Sequence, residues 1–139
     1  MRRKILYGTE AGFRVVMVDE MMVTKSTLPT HDWTRPNTNH ELDLSQIDTR
    51  AIAVVGAVSR ERGVELIMTF RKSVDMVKFR TFLEELRRLN PFDDMMLVLD
   101  NLQVHKSEEM KMRMDELGFE YAWTPPYSPQ YNGIEEVWA

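Results

Sequence analysis

The segment Met95–Leu99 is apolar at all five positions and leads directly into Asp100. A short, continuous apolar run of this kind is typical of a central β-strand. One helical pattern precedes it and ends at Asn90 and Pro91, and a second follows it and ends at Gly118. A helix, a strand and a helix in this order predict βαβ units, and therefore a sheet that is at least partly parallel.

Both predicted helices have a serine in position to cap the N-terminus, Ser73 for the first and Ser107 for the second. The apolar positions of the first helix recur at close to the 3.6-residue period and are Val74, Val77, Phe82, Leu86 and Leu89.

The remaining strand signals lie on either side of the helical patterns. The predicted strands are Arg14–Glu20, Ala51–Ser59, Val64–Phe70 and Phe119–Thr124. Residues 60–63 fit a hairpin turn. The polar segment after the first strand contains Pro29 and Pro36 and is predicted to be a connection or an edge hairpin. Antiparallel strands followed by βαβ units predict a mixed sheet with helices packed on it, an α/β architecture.

The composition limits the available chemistry. The chain has no cysteine, which excludes a disulfide scaffold, a thiol nucleophile and a thiolate zinc site, and its three histidines argue against other zinc sites. Its 139 residues are enough for one domain. The net charge of −4 is unusual for a free-standing nucleic-acid binder, so DNA affinity is expected to depend on segments outside this chain. No apolar stretch is long enough for a membrane helix.

Three carboxylates stand at comparable places. Asp19 ends the first predicted strand, Asp100 follows Met95–Leu99, and Glu135 starts a short helical pattern behind a proline-rich turn. Such positions can converge on one edge of a mixed sheet, where the carboxylates would repel one another unless Mg²⁺ or Mn²⁺ lay among them. Each also has a simpler interpretation, as a solvated strand-end aspartate or a first-turn glutamate favoured by the helix dipole.

The sequences around these carboxylates resemble the catalytic motifs of mariner-like transposases. Residues 127–138 (YSPQYNGIEEVW) resemble the third motif, commonly YSPxxNPIExxW, with Gly133 where the family commonly has proline. Residues 97–101 together with His105 resemble the second motif, and residues 16–20 resemble the first. Between Asp100 and Glu135 lie 34 residues, the spacing characteristic of this D-D-E variant.

The resemblance implies an RNase H-like catalytic domain over residues 14–139. Residues 1–13 are interpreted as a lead-in, and the helical pattern within residues 134–138 has no room to finish, so the last helix is expected to be incomplete. The resemblance further implies that Asp19, Asp100 and Glu135 are catalytic and hold two Mg²⁺ or Mn²⁺ ions for in-line DNA cleavage and strand transfer. It also implies element-end and target DNA as partners and a homodimer in the full-length context. No membrane partner is expected, because no apolar stretch is long enough to span one. The location would be the nucleus of a eukaryote, or the cytoplasm or nucleoid of a bacterium, without secretion.

Supporting roles are expected near the motifs. Asn101 could hydrogen-bond a carboxylate or a metal-bound water, or simply accommodate a strand-end turn. His105 could donate to a DNA phosphate, orient a ligand, or be structural. Asn132 is interpreted as the cap of the helix that presents Glu135. Three basic side chains could contact DNA phosphates or simply face solvent, namely Arg71, Lys72 and Lys106.

Two other functions stay open. The chain could be an inactive or domesticated transposase relic that acts as a nucleic-acid or protein interaction module. It could also be a different RNase H-like nuclease that resolves DNA junctions or cuts RNA in hybrids, although the third motif argues against this. Binding of Mn²⁺ would separate an intact carboxylate site from a collapsed one.

Overall fold

A computed structural model of the chain describes residues 2–24, 51–100, 106–125 and 134. The described helices and strands, in chain order, are α1 (Arg2–Glu10), β1 (Arg14–Val23), β2 (Ile52–Ser59), β3 (Gly63–Arg71), α2 (Met76–Leu89), β4 (Met95–Leu99), α3 (Glu108–Glu116) and β5 (Glu120–Trp123). The strands form one sheet in the order β3-β2-β1-β4-β5. The β1–β2 and β2–β3 pairs are antiparallel, whereas the β1–β4 and β4–β5 pairs are parallel. The mixed α/β sheet predicted from the sequence is confirmed.

The main core lies between one face of the sheet and helices α2 and α3. All five residues of β4 are buried, as expected of a central strand. Helix α2 contributes Phe79, Phe82, Leu83 and Leu86 to this core, and α3 contributes Met110 and Met114. Burying each of these side chains stabilises the fold by about 1.5–3 kcal/mol. The core therefore holds β1 and β4 rigidly side by side.

The N-terminus of α2 differs from the prediction. Asp75, not Ser73, is the N-cap, and its side chain accepts a hydrogen bond of 2.9 Å from the Lys78 amide. The reason is that β3 continues to Arg71, so the chain leaves the sheet too late for a helix to begin at residue 74. The predicted apolar stripe is also partly wrong, because the buried face of α2 is made by Phe79, Phe82, Leu83 and Leu86. Val77 and Leu89 lie off this face and are 73% and 46% exposed. The predicted end of this helix at Asn90 and the Ser107 cap of α3 are both confirmed.

Replacing the cap tests this boundary. We expect Asp75→Ala to lower the free energy of unfolding by about 1 kcal/mol at neutral pH, and Asp75→Asn, which can still cap, to cost much less. The Lys78 amide bond lowers the pKa of Asp75, so the stability from the charged carboxylate is present at neutral pH and is lost in acid. The deficit of Asp75→Ala should therefore shrink as the pH falls below about 4. Urea denaturation at neutral and acidic pH measures it, and an unchanged Asp75→Ala stability would contradict the assigned cap.

Helix α1 differs from the prediction, in which residues 1–13 form a lead-in without a helix. It lies on the side of the sheet opposite the main core, where Gly8 approaches Met96 so closely that a Cβ on Gly8 would lie 2.6 Å from the Met96 Cε. A glycine inside a helix costs about 1 kcal/mol relative to alanine. Local propensity therefore argues against this helix, which is held by a tertiary contact.

Some predictions fall outside the described residues. These are the connection or edge hairpin within residues 25–50 and the helix within 134–138, of which only Ile134 is described. Ile134 is fully buried. The domain boundaries and the incomplete last helix remain predictions. Within the described ranges, no helix has both the length and the apolar character needed to cross a membrane.

Candidate carboxylate site at the sheet edge

Asp19 and Asp100 are brought together by the parallel pairing of β1 and β4. The register of this pair runs from Arg14 opposite Met95 to Val18 opposite Leu99, and the two aspartates are the next residue on each chain. Neighbouring strands lie about 4.8 Å apart. The two aspartates thus lie side by side where the parallel β1–β4 pairing ends, although β1 itself continues to Val23, and both are partly buried.

The alternation of side chains shows which face of the sheet the aspartates share. Val18 and Leu99, one residue earlier on each strand, belong to the core cluster under α2 and α3. Successive side chains in a strand point to opposite faces. Asp19 therefore lies on the other face, with Met17 of the same strand, and Asp100 follows Leu99 in the same sense. The placement predicted for Asp100, directly after its strand, is confirmed, whereas Asp19 lies inside β1, because pairing with β2 continues that strand to Val23.

At the opposite end of β1, a buried ionic network fixes the strand where it begins. Arg14 Nη2 donates hydrogen bonds to Asn90 Oδ1 at 2.8 Å and to Asp93 Oδ2 at 2.9 Å. Its Nε lies 2.9 Å from Glu65 Oε1 without hydrogen-bond alignment, so that contact is ionic. The side chains of Arg14 and Glu65 are only 11% and 3% exposed. Arg14 thereby ties β1 to β3 and to the turn before β4.

Further bonds close this network. Ser59 Oγ donates to Glu65 Oε1 at 2.6 Å, and Arg62 Nη1 donates to Asn90 Oδ1 at 2.9 Å. The hydrogen bond from Arg14 lowers the pKa of Asp93, so this carboxylate stays charged into the acid range. The network could not be predicted from the sequence, because its members are up to 79 residues apart and only the fold brings them together. The one local signal is an arginine at the start of an apolar strand.

The other predicted site residues lie outside the described part of the chain. These are the third carboxylate, Glu135, and the supporting residues Asn101, His105 and Asn132. Ile134, which precedes Glu135, is fully buried although it is not part of the core cluster under α2 and α3. Among the described residues, no group of three or more metal-ligating side chains is found. The structure thus places two of the three predicted carboxylates together, and the third remains a prediction.

Carboxylate oxygens are the ligands that Mg²⁺ and Mn²⁺ prefer, so the chemistry of the Asp19–Asp100 pair fits a hard divalent cation. Two carboxylates this close are also unfavourable in the absence of a positive charge. The donor set is compatible with the predicted metal, and it would be completed by a third oxygen ligand.

Comparison with known proteins gives a family and a fold. A family profile described as DDE superfamily endonuclease matches residues 14–139. No curated protein matches the sequence significantly. The crystal structure of the catalytic domain of Mos1 mariner transposase is 14% identical with a TM-score of 0.66, and the match covers 97% of this chain and 62% of that one.

Two larger assemblies share the same fold. The Mos1 transposase paired-end complex with left transposon end is 14% identical, with a TM-score of 0.66 and coverage of 97% and 43% of the two chains. A simian T-cell lymphotropic virus intasome in complex with PP2A regulatory subunit B56 gamma is 11% identical, with a TM-score of 0.61 and coverage of 89% and 36%. The chain thus spans less than two thirds of each of these structures. The likeness confirms the predicted RNase H-like fold.

Proposed function

Because the chain belongs to the DDE superfamily of endonucleases, we propose that it is the catalytic domain of a mariner-like transposase. In this proposal Asp19, Asp100 and Glu135 are the catalytic carboxylates. The substrate is DNA, which is cut at the ends of an element and joined to a target. The observation that supports the proposal is the placement of Asp19 and Asp100 side by side, each directly after the last paired residue of the parallel β1–β4 pair.

The proposal includes two divalent ions held by these three carboxylates. Among the structures of similar fold, one Mos1 paired-end complex is described with Mn and one Mos1 catalytic domain with Mg. When bound, two such ions supply Lewis-acid stabilisation of the attacking and leaving oxygens in phosphodiester displacement. The donor chemistry of Asp19 and Asp100 supports this assignment, and Glu135 would provide the third carboxylate.

The protein's own contribution is to hold its carboxylates in place. Asp19 lies within β1, which is paired on both sides, by β2 and by β4. Asp100 directly follows β4, which is itself paired by β1 and β5. Rigid elements of this kind keep charged ligands close together without the entropy cost of ordering a loop. Asp19 and Asp100 are therefore preorganised for binding cations and a phosphodiester.

The assembly and the location are part of the proposal. In the full-length protein, DNA-recognition segments outside this chain would supply most of the affinity for the element ends, which is consistent with the net charge of −4. Two copies would pair so that both ends are processed together. The protein would act where chromosomal DNA lies, in the nucleus or the nucleoid.

Strand cleavage tests the proposal. The chain is incubated with supercoiled plasmid and Mn²⁺, and nicked product is measured on gels. Nicking that is lost when EDTA is added is the expected result. An RNA–DNA hybrid of the same sequence serves as the comparison, since cleavage of the RNA strand alone would indicate a hybrid nuclease. No nicking together with no stabilisation of the chain by Mn²⁺ would instead support the inactive relic.

A further inference from the structure

The turn between β3 and α2 has a backbone conformation that its sequence does not favour. Among the residues described, Lys72 is the only one other than glycine with a positive φ, 64°. A side chain in this left-handed region is strained, which is why such positions usually hold glycine or asparagine. Strained residues persist where the surroundings over-determine them, and they concentrate at functional sites. The presence of lysine here therefore calls for an explanation.

Neighbouring groups hold Lys72 in this conformation. Its amide donates a 2.8 Å hydrogen bond to the Ala51 carbonyl, which extends the sheet by one bridge. The Lys78 Nζ donates to the carbonyls on both sides, Arg71 at 3.0 Å and Ser73 at 2.7 Å. The turn is thus built as a rigid unit, while the side chains of Arg71 and Lys72 are exposed.

This turn lies at the same edge of the sheet as the carboxylate site. The end of β3 pairs with the start of β2, and the start of β2 pairs with the end of β1, at Val23 opposite Ile52. Asp19, Gly56 and Ile67 stand level across three strands, and Arg71 is four residues further along β3. Strand geometry places Arg71 roughly 13 Å along the strands and about 10 Å across them from Asp19.

Arg71 is also on the same face as Asp19. Leu66, Met68 and Phe70 of β3 pack against the core under α2 and α3, so Arg71 and Ile67 belong to the opposite face. Asp19 lies on that opposite face as well, level with Ile67. A separation of roughly 16 Å corresponds to about five base pairs along a duplex. One DNA segment can therefore reach both the carboxylates and this turn.

A fourth cation lies beside the turn. Ser107 Oγ is 3.5 Å from the Sδ of Met76, the first residue of α2, which brings Lys106 next to the start of that helix. The only acidic side chain within the turn is Asp75, which caps α2 and lies 3.6 Å from the Lys78 Nζ. We call Arg71, Lys72, Lys78 and Lys106 the basic edge. Residues 71–78 carry three cations against the single carboxylate of Asp75, which contrasts with the chain's net charge of −4. Lys106 is followed by Glu108 and Glu109 in the first turn of α3, where Glu108 pairs with Lys111.

We propose that the basic edge binds the phosphodiester backbone of the DNA that enters the carboxylate site, with Arg71, Lys72 and Lys106 contacting phosphates. Lys78 has a different task, because its ammonium group positions the turn through the two carbonyls. The inference rests on the proposed function for the identity of its ligand, duplex DNA. It explains why lysine occupies a left-handed position that glycine would fill at lower cost.

The test uses the 139-residue chain and a fluorescein-labelled DNA duplex, with affinity measured by anisotropy over a range of salt concentrations without divalent metal. Each phosphate contact contributes about 0.9 to the slope of log K against log salt. Lys72→Asn should lower the slope by about 0.9 and weaken binding about eightfold at about 0.1 M salt. Lys72→Arg, which keeps the charge, should retain the wild-type slope.

Stability separates this role from a merely structural one. Asparagine and glycine tolerate the left-handed conformation. Lys72→Asn should therefore keep or raise the melting temperature, and Lys72→Gly should raise it by about 3 °C, while DNA binding weakens in both variants. Arg60→Gln is the matched control, because Arg60 is an exposed cation in the turn at the other end of the β2–β3 hairpin, and it should leave the slope unchanged.

Two results would overturn the inference. One is that Lys72→Asn and Arg71→Gln both keep the wild-type slope of log K against log salt. The other is that the wild-type chain shows no measurable DNA binding at low salt. Failure here is distinguishable from failure of the proposed function. If the wild type nicks DNA in a metal-dependent way but the basic-edge variants bind DNA like the wild type, only the proposed role of the basic edge is wrong. If those variants lose DNA binding but the wild type does not nick DNA, only the catalytic assignment is wrong.

Discussion

Asp100→Asn is expected to reduce metal-dependent DNA nicking by more than roughly a hundredfold while the fold stays intact. Replacing a residue that merely supports a metal ligand costs about 10–100-fold, and a ligand itself should cost more. The amide is nearly the same size as the carboxylate but lacks its charge, so the β1–β4 pairing that places Asp100 should be preserved. Initial nicking rates at matched protein and Mn²⁺ concentrations measure the effect.

The same variant should lose its stabilisation by metal. A ligand present at a hundredfold excess over its dissociation constant stabilises the folded state by about 2.7 kcal/mol, which corresponds to a rise in melting temperature on the order of 10 °C. Asp94→Asn is the matched control, because Asp94 is an exposed aspartate directly before the same strand. We expect it to nick and to respond to Mn²⁺ like the wild type. Nicking by Asp100→Asn at the wild-type rate would show that Asp100 is not a catalytic residue.

Arg14→Met is expected to destabilise the fold by about 3–5 kcal/mol. Glu65, whose side chain is 3% exposed, would lose its cationic partner, and an uncompensated buried charge costs this much. Asn90 and Asp93 would each lose a hydrogen bond from the same guanidinium group. Urea denaturation at neutral pH provides the measurement.

Two comparisons make this prediction specific to the buried network. Arg88→Met removes an arginine of similar size that pairs with Glu85 on the surface, where it is 68% exposed, so it should cost less than about 1 kcal/mol. Arg14→Met combined with Glu65→Leu should recover much of the stability, because no buried charge is left unpaired. A loss in Arg14→Met no larger than in Arg88→Met would show that the network does not secure β1.

The elements that could be predicted are those whose signal is local. Met95–Leu99 is apolar throughout, and Ser107 stands directly before the residues of α3, so both assignments hold. The cap of α2 was misplaced because Ser73 and Asp75 are both good capping residues. The choice between them depends on where β3 ends, which is a property of the sheet.

What escaped prediction depends on contacts between distant residues. Helix α1 rests on the approach of Gly8 to Met96, and Arg14 meets its partners only after β3 and the turn before β4 are in place. The candidate site could be predicted in part. The motifs identify Asp19 and Asp100 individually, whereas their adjacency follows from the parallel register of β1 and β4. Glu135 is identified by its motif alone.

The most direct measurement is anomalous scattering from crystals of the chain grown or soaked with Mn²⁺. Shared coordination by Asp19 and Asp100 predicts a manganese peak within about 2.1 Å of a carboxylate oxygen from each of them, with Glu135 completing the site. Crystals in which manganese binds elsewhere, or in which Asp19 and Asp100 bind no common ion at saturating Mn²⁺, would contradict the account.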